Sequence, residues 1–513
     1  MRKLFILCVS CLPMSMMAQQ AAKQKAVKVA NPLPYAKTIT PDDLKKHLYI
    51  VAGAEMEGRG TGTEGERRAA AYIESQFKAF GLLPGNNGSY QMHWPVYVDS
   101  LTHSAIEVNG KKFEADKDFT VNMNMSYAAT LSASEVVFVG HGVSDSTRDD
   151  YKGIDAKGKI VLVLPGAPAP GANQRRPAAF FIQEAAAKNG AVAVLLVQTN
   201  FPRPASAKTG QLYTSGFRKT NYPNTFTISE SIAEAIMGAD YKAVKESIKS
   251  GNAPAKTYSA NVMLDFGKAT TSIQSSNVIG YVEGSDKRDE FVIITAHYDH
   301  LGKRDSVIYY GADDDGSGTV GVLELAEAFA KAKAEGKGPR RSVVFMTVSG
   351  EERGLWGSAY YGENPIFPLE KTTVNLNIDM IGRTDPERKT GDSSNYVYVV
   401  GDDKLSTDLR PISEGVNKKY AKMELDYKFN DPNDRQQIYY RSDHYNFARK
   451  GVPIIFYFDG IHADYHRASD TPDKINYELL SKRARFVFHT AWEMANRNDM
   501  LKRDLKLNMP GRN

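Results

Sequence analysis

The stretch TAHYDH at positions 295–300 places His297, Asp299 and His300 within four residues. Imidazole and carboxylate are the side chains that hold first-row divalent metals when no sulfur is at hand. Four more clusters of this chemistry follow. GADDDGSG carries Asp313, Asp314 and Asp315, SGEER carries Glu351 and Glu352, NIDM carries Asp379, and IHADYHRASD carries His462, Asp464 and His466. Each has a plain alternative taken alone. A His at a strand end is often only hydrogen-bonded, an Asp/Ser turn caps a helix, and paired glutamates usually face solvent. All five, however, come after apolar runs, so a convergent site of oxygen and nitrogen ligands is the leading reading. The number of carboxylates points to two Zn²⁺ ions, whose repulsion at roughly 3.5–4 Å calls for a bridging carboxylate. Asp313, Asp314 and Asp315 are the candidates for that bridge.

The elements that must position these residues are the apolar runs NVIGYVEG, EFVIITA, RSVVFMTVS, TVNLNIDM and GVPIIFYFD, which alternate with helical patterns such as GTVGVLELAEAFAKAKAEG. Strands buried on both faces and interleaved with helices predict an α/β fold with a mixed, mostly parallel sheet flanked by helices. Ligands in such sheets collect at the carboxyl ends of the strands. Upstream, EGERRAAAYIESQFKAFGL predicts a packing helix with Ala70, Ile73, Phe77 and Phe80 on one face and Gly81 at its end. Between 131 and 254 the runs EVVFVG, KIVLVLP and AVAVLLVQ, with the helical AAFFIQEAAAKNGA, predict a separate β-rich domain.

A chain of 513 residues exceeds one ordinary core, so two domains are expected. A net charge of +5 without a long basic tract argues against nucleic acid as a partner. The start, MRKLFILCVSCLPMSMMA, has the basic, apolar and small-residue layout of a secretory signal. Residues 1–18 are therefore expected to be removed, 19–40 to be a tether, and the mature chain to be periplasmic or extracellular. No run approaches the ~20 apolar residues of a transmembrane helix. Cys8 and Cys11 are the only cysteines and both fall in the signal, which leaves no thiol for catalysis, zinc or a disulfide; lipidation of Cys11 is the competing reading. The expected division is a catalytic domain at 41–130 and 255–503, an insertion at 131–254 and a tail at 504–513.

In order along the chain, HYD, GADDDGSG, SGEERGLWGS, NIDMIGR and DYHRASDTPDKI resemble the motif series of metallopeptidase family 28, the co-catalytic zinc aminopeptidases. The resemblance spans Asn277 to Arg497 and includes GRGTGTEGERRAAAYI, while VGHGVSDSTRDDYKGIDAKGKIVLVLPG is similar to the protease-associated domain that some members carry. The resemblance implies two zinc ions per chain, one on His297, Asp314 and Asp379, the other on Asp314, Glu352 and His466. It chooses Asp314 as the bridge from a D-x-x-S-G frame, and His466 over His462. Glu351 falls on the general base, and Asp299 on a partner that accepts a hydrogen bond from His297. Tyr465 falls on an oxyanion-stabilising residue, a cis peptide on Asp314–Asp315, and Ser442, Asp443 and His444 on structural or pocket positions. His300 is expected to be a bystander. The implied activity is removal of N-terminal residues from peptides. The alternatives are a carboxypeptidase or dipeptidase of the same family, a single-zinc glutaminyl cyclase, and a non-catalytic binding protein of the transferrin-receptor type.

Overall fold

Seven strands build the sheet that carries the site, in the spatial order Glu424–Asp426, Tyr396–Val400, Ile454–Phe458, Thr372–Ile378, Lys287–His297, Arg341–Val348 and the end of Lys256–Val282. This is a computed structural model, and it describes residues 29–123, 126–146, 148–166, 178–215, 222–249 and 254–508. Ile454–Phe458, Thr372–Ile378, Lys287–His297 and Arg341–Val348 run parallel, Tyr396–Val400 is antiparallel to Ile454–Phe458 and parallel to Glu424–Asp426, and Lys256–Val282 is antiparallel to Arg341–Val348. The mixed, mostly parallel sheet expected from the apolar runs is therefore present. Every residue of Arg341–Val348, Thr372–Ile378 and Ile454–Phe458 is buried, as strands covered by helices on both faces must be.

One face packs on the helices Pro41–Val51, Glu64–Phe80, Gly318–Ala334 and Tyr477–Asn496, with Leu48, Ile73, Phe77, Phe329 and Phe488 in a common core. The expected helix over 64–80 starts on Thr63, whose hydroxyl accepts from the Glu66 amide, and ends on Gly81 at φ 81°. Ala70, Ile73 and Phe77 are buried and Phe80 is partly so. The opposite face carries an aromatic core that includes Tyr361, Tyr398, Phe429, Phe447 and Phe456.

A second core gathers Ile106, Phe119, Phe138, Leu162, Leu195 and Phe226. Its strands Ala129–Phe138, Ile160–Val163, Ala193–Val197 and Asn224–Ile228 pair in parallel, and the helix Ala178–Lys188 lies in the same unit. This β-rich unit takes in more chain than the expected 131–254, because Ile106–Phe119 before it and Tyr258–Phe266 after it share its core. The reason is continuous pairing. Gln91–Val108 and Lys256–Val282 run as one antiparallel ribbon from Gln91↔Val278 to Val108↔Val262, and each strand passes through both cores.

The expected signal at 1–18 and the first part of the expected tether lie outside the described residues. From residue 31 the tether reading is wrong. Tyr35 is 2% exposed, stacks on Trp492 at 5.8 Å and donates to Glu335 at 2.6 Å, and Ile39 is fully buried with its carbonyl bound by Arg485. One aromatic and one branched apolar side chain suffice to dock a segment that lacks periodicity. The expected tail is likewise anchored at its start, where Asp504 accepts from the amide and hydroxyl of Thr407.

Candidate metal centre

His297 is the last residue of its strand, Ser349 to Glu352 directly follow Arg341–Val348, Asp379 directly follows Thr372–Ile378, and the segment carrying His462 to His466 follows Ile454–Phe458. These four strands are adjacent in the sheet, so the carboxyl ends of parallel neighbours bring residues 169 positions apart to one point. Two sets of side chains have ligand atoms within 4.8 Å of one another: His297, Asp314 and Asp379, and His300, Asp314 and Glu352. Asp314 belongs to both. His297 Nε2 lies 3.3 Å from Asp314 Oδ1 and 3.6 Å from Asp379 Oδ1. His466 Nε2 lies 3.1 Å from Asp314 Oδ2 and 3.3 Å from Glu352 Oε2.

The donor set fits divalent cations. His297 Nε2, His300 Nδ1 and Nε2, Asp314 Oδ2 and Glu352 Oε1 are all buried and crowd one another without making a hydrogen bond of good geometry among the described residues. Buried polar atoms left unpaired are costly, and carboxylates this close repel unless cations lie between them.

Asp313, Asp314 and Asp315 do different work, which residue type alone cannot separate, although the family frame D-x-x-S-G singles out Asp314. Asp315 accepts from the amides of His297, Gly318 and Met380, tying three loops together. Asp313 accepts from Gly382 N at 2.7 Å and meets His462 Nε2 at 3.1 Å. Only Asp314 turns both oxygens into the cleft, one towards His297 and the other towards His466. The Asp314–Asp315 peptide is cis. His462 is thereby taken up by Asp313, while His466 reaches the centre.

Two expectations need correction. Asp299 does not accept from His297 through its carboxylate: the ring's Nδ1 meets the Asp299 backbone carbonyl at 3.0 Å, and the nearest carboxylate oxygen is 3.8 Å away. That carboxylate instead accepts from the Glu351 amide at 3.1 Å and the Thr61 hydroxyl at 2.9 Å, because the next strand's loop crosses directly over it. His300 is no bystander, since its Nδ1 lies 2.7 Å from Glu352 Oε1.

Glu351 Oε2 is 3.9 Å from His297 Nε2. Burial pushes its carboxyl well above the usual carboxylate range, with Glu352 and Asp379 adding to the rise and His297 opposing it. Tyr465 stacks on His466 at 3.8 Å between ring centres and accepts a hydrogen bond from Arg441. Ser442 accepts from Asn377, Asp443 from Ser358, and His444 Nε2 meets the Tyr439 carbonyl, so these three lie in the framework behind the cleft. A pocket at the centre is lined by the polar Glu351, Asp379 and Arg441 and by the apolar Met380, Phe456 and Ile461.

Sequence reasoning missed the residues that hold these loops. Arg59 is fully buried and donates to the carbonyls of Val51, Tyr298, Tyr310 and Gly311. Glu66 accepts from Gly62 N and from the hydroxyls of Ser275 and Ser349. A single Arg in a glycine-rich loop and a Glu in a helix's first turn carry no signal of such partners.

The model of peptidase family M28 matches residues 277–491. Over 503 residues the chain is 24% identical to "Leucine aminopeptidase 2" of Trichophyton rubrum, covering 90% of this chain and 87% of that one. The protein of the same name from Arthroderma otae is 23% identical over 504 residues, covering 90% and 88%. Among solved structures, an aminopeptidase from Aneurinibacillus sp. strain AM-1 shares the fold with a TM-score of 0.53 at 21% identity, over 94% of this chain and all of that one. The matched segment holds every expected metal ligand together with Glu351, so the part of the chain that carries the site is the part that resembles peptidase family M28.

Proposed function

We propose that this metallopeptidase is an exported aminopeptidase that uses two zinc ions, with His297 and Asp379 on one, Glu352 and His466 on the other and Asp314 shared. The observation that carries this reading is the pair of imidazole–carboxylate groups meeting at Asp314. Zinc held there would supply Lewis acidity towards a peptide carbonyl and lower the pKa of water. Glu351 is then the base: its Oε2 takes a proton from the attacking water and later delivers it to the leaving amine. Asp299 holds Glu351 through the backbone amide. Tyr465 offers a hydroxyl to the developing oxyanion.

The apolar wall of Met380, Phe456 and Ile461 supports an apolar N-terminal side chain as the preferred occupant. The carboxylates of Glu351 and Asp379 in the same pocket suit a substrate ammonium. The leucine aminopeptidase names of the relatives support the same choice. The β-rich unit with its own core is proposed to be a protease-associated insertion.

The test is zinc analysis of the purified protein together with hydrolysis of leucine p-nitroanilide, its N-acetyl derivative and a peptide blocked at the N-terminus. About two zinc per chain and turnover of the free-amine substrate alone are expected. One tight zinc, or cleavage of the blocked substrates, would overturn the reading. Glu351→Gln should retain zinc and fold while kcat falls roughly 10²–10⁴-fold.

A further inference from the structure

Arg441 and Tyr465 approach the cleft from two separately anchored segments and meet in one hydrogen bond, from Arg441 Nη2 to the Tyr465 hydroxyl at 3.0 Å. A guanidinium only donates. The phenol oxygen is therefore the acceptor, and its own hydrogen must point elsewhere. Among the described residues that hydroxyl makes no other hydrogen bond, and Arg441 forms no ion pair with a carboxylate. Both side chains line the pocket that also holds Asp314, Glu351 and Asp379.

We propose that Arg441 is a positioning residue, which fixes Tyr465 so that its O–H is aimed at the oxyanion forming on the scissile carbonyl; this rests on the aminopeptidase reading above. Its base is rigid. Arg441 is followed by Ser442 and Asp443, which Asn377 and Ser358 hold by hydrogen bonds. Tyr465 is carried by a segment pinned through His462 to Asp313 and through Asp464 to Arg383 and Lys474, and its ring is stacked on His466. The stack fixes the plane of the ring but not the direction of the hydroxyl hydrogen. Asp314 and Glu352 lie near enough to act on the phenol electrostatically. Without the guanidinium, a carboxylate would compete with substrate for that hydrogen. With it, the oxygen is occupied and a donor is held ready, the preorganisation that makes such groups effective.

The experiment compares the zinc-loaded full chain with Arg441→Met, Arg441→Lys, Tyr465→Phe and the Arg441→Met/Tyr465→Phe double variant on leucine p-nitroanilide. Arg441→Met is expected to lower kcat by about 10- to 100-fold, with KM and zinc content held. Arg441→Lys should recover part of the loss, and the double variant should be no slower than Tyr465→Phe. Losses that multiply in the double variant overturn the proposal. So does a rise in KM confined to peptides with a free carboxylate and absent from their amides, which would make Arg441 a substrate anchor. If Arg441→Met fails to fold, Arg441→Lys in the wild-type and Tyr465→Phe backgrounds decides by the same non-additivity. A wild-type protein that does not hydrolyse the substrate would instead sink the aminopeptidase reading and this proposal with it.

Discussion

Asp314 is the residue on which both halves of the centre depend, with one carboxylate oxygen facing His297 and the other facing His466. Loss of its charge should cost more than loss of either terminal ligand. Replacing a group that merely orients a ligand typically costs 10- to 100-fold, so Asp314→Asn should lose more than about 10²-fold in metal affinity. On the proposed two-zinc assignment, zinc analysis after dialysis should show both ions depleted, whereas Asp379→Asn should keep the ion nearer His466. Asp299 shows how residue roles turn on geometry. The family resemblance implies a carboxylate on the imidazole, but the backbone carbonyl makes that contact and the carboxylate holds Glu351.

At the scale of elements, the site is assembled by loops that brace one another. Asp470 accepts from the amides of Asp313 and Asp314, so the segment that delivers His466 also holds the loop that delivers the shared carboxylate. The helix that follows, Gly318–Ala334, carries Glu324 on its buried side, where His47 stands at 3.5 Å and Asp43 and Glu327 add negative charge. Burial pushes the Glu324 carboxyl up from 4.5 to about 8. Its protonated form is therefore favoured in the folded state. That contribution to stability is full below about 4.5 and is lost as pH rises through about 8. Glu324→Gln should abolish this loss, so denaturant unfolding at pH 5 and pH 9 should show the variant gaining on the wild type by on the order of 3 kcal/mol. An unchanged difference between the two pH values would show that Glu324 is not buried as a neutral acid.

At the scale of the molecule, the proposed ligands, drawn from positions 297 to 466, would make metal binding and folding one equilibrium. Chelation should lower the unfolding midpoint, and zinc at 100 times its Kd should restore about 2.7 kcal/mol. A midpoint indifferent to chelation would mean that the centre is held open by protein contacts alone. The sequence by itself determined the sheet and the identity of the chemistry. Apolar runs long enough to be buried on both faces, each ending in His, Asp or Glu, leave few arrangements other than a parallel sheet with ligands at its carboxyl edge. It also showed the helix over 64–80, because a stripe at helical spacing and a terminal glycine are local signals. Only the tertiary structure decided what Asp313 and Asp315 hold beside Asp314, that His300 touches Glu352, that residues 31–40 dock, and that Arg441 reaches Tyr465. Those outcomes depend on which loops cross above adjacent strands, and the partners lie 24 to 457 positions apart. Hydrogen bonds over such separations leave no periodicity in the chain, so physical contact alone reveals them.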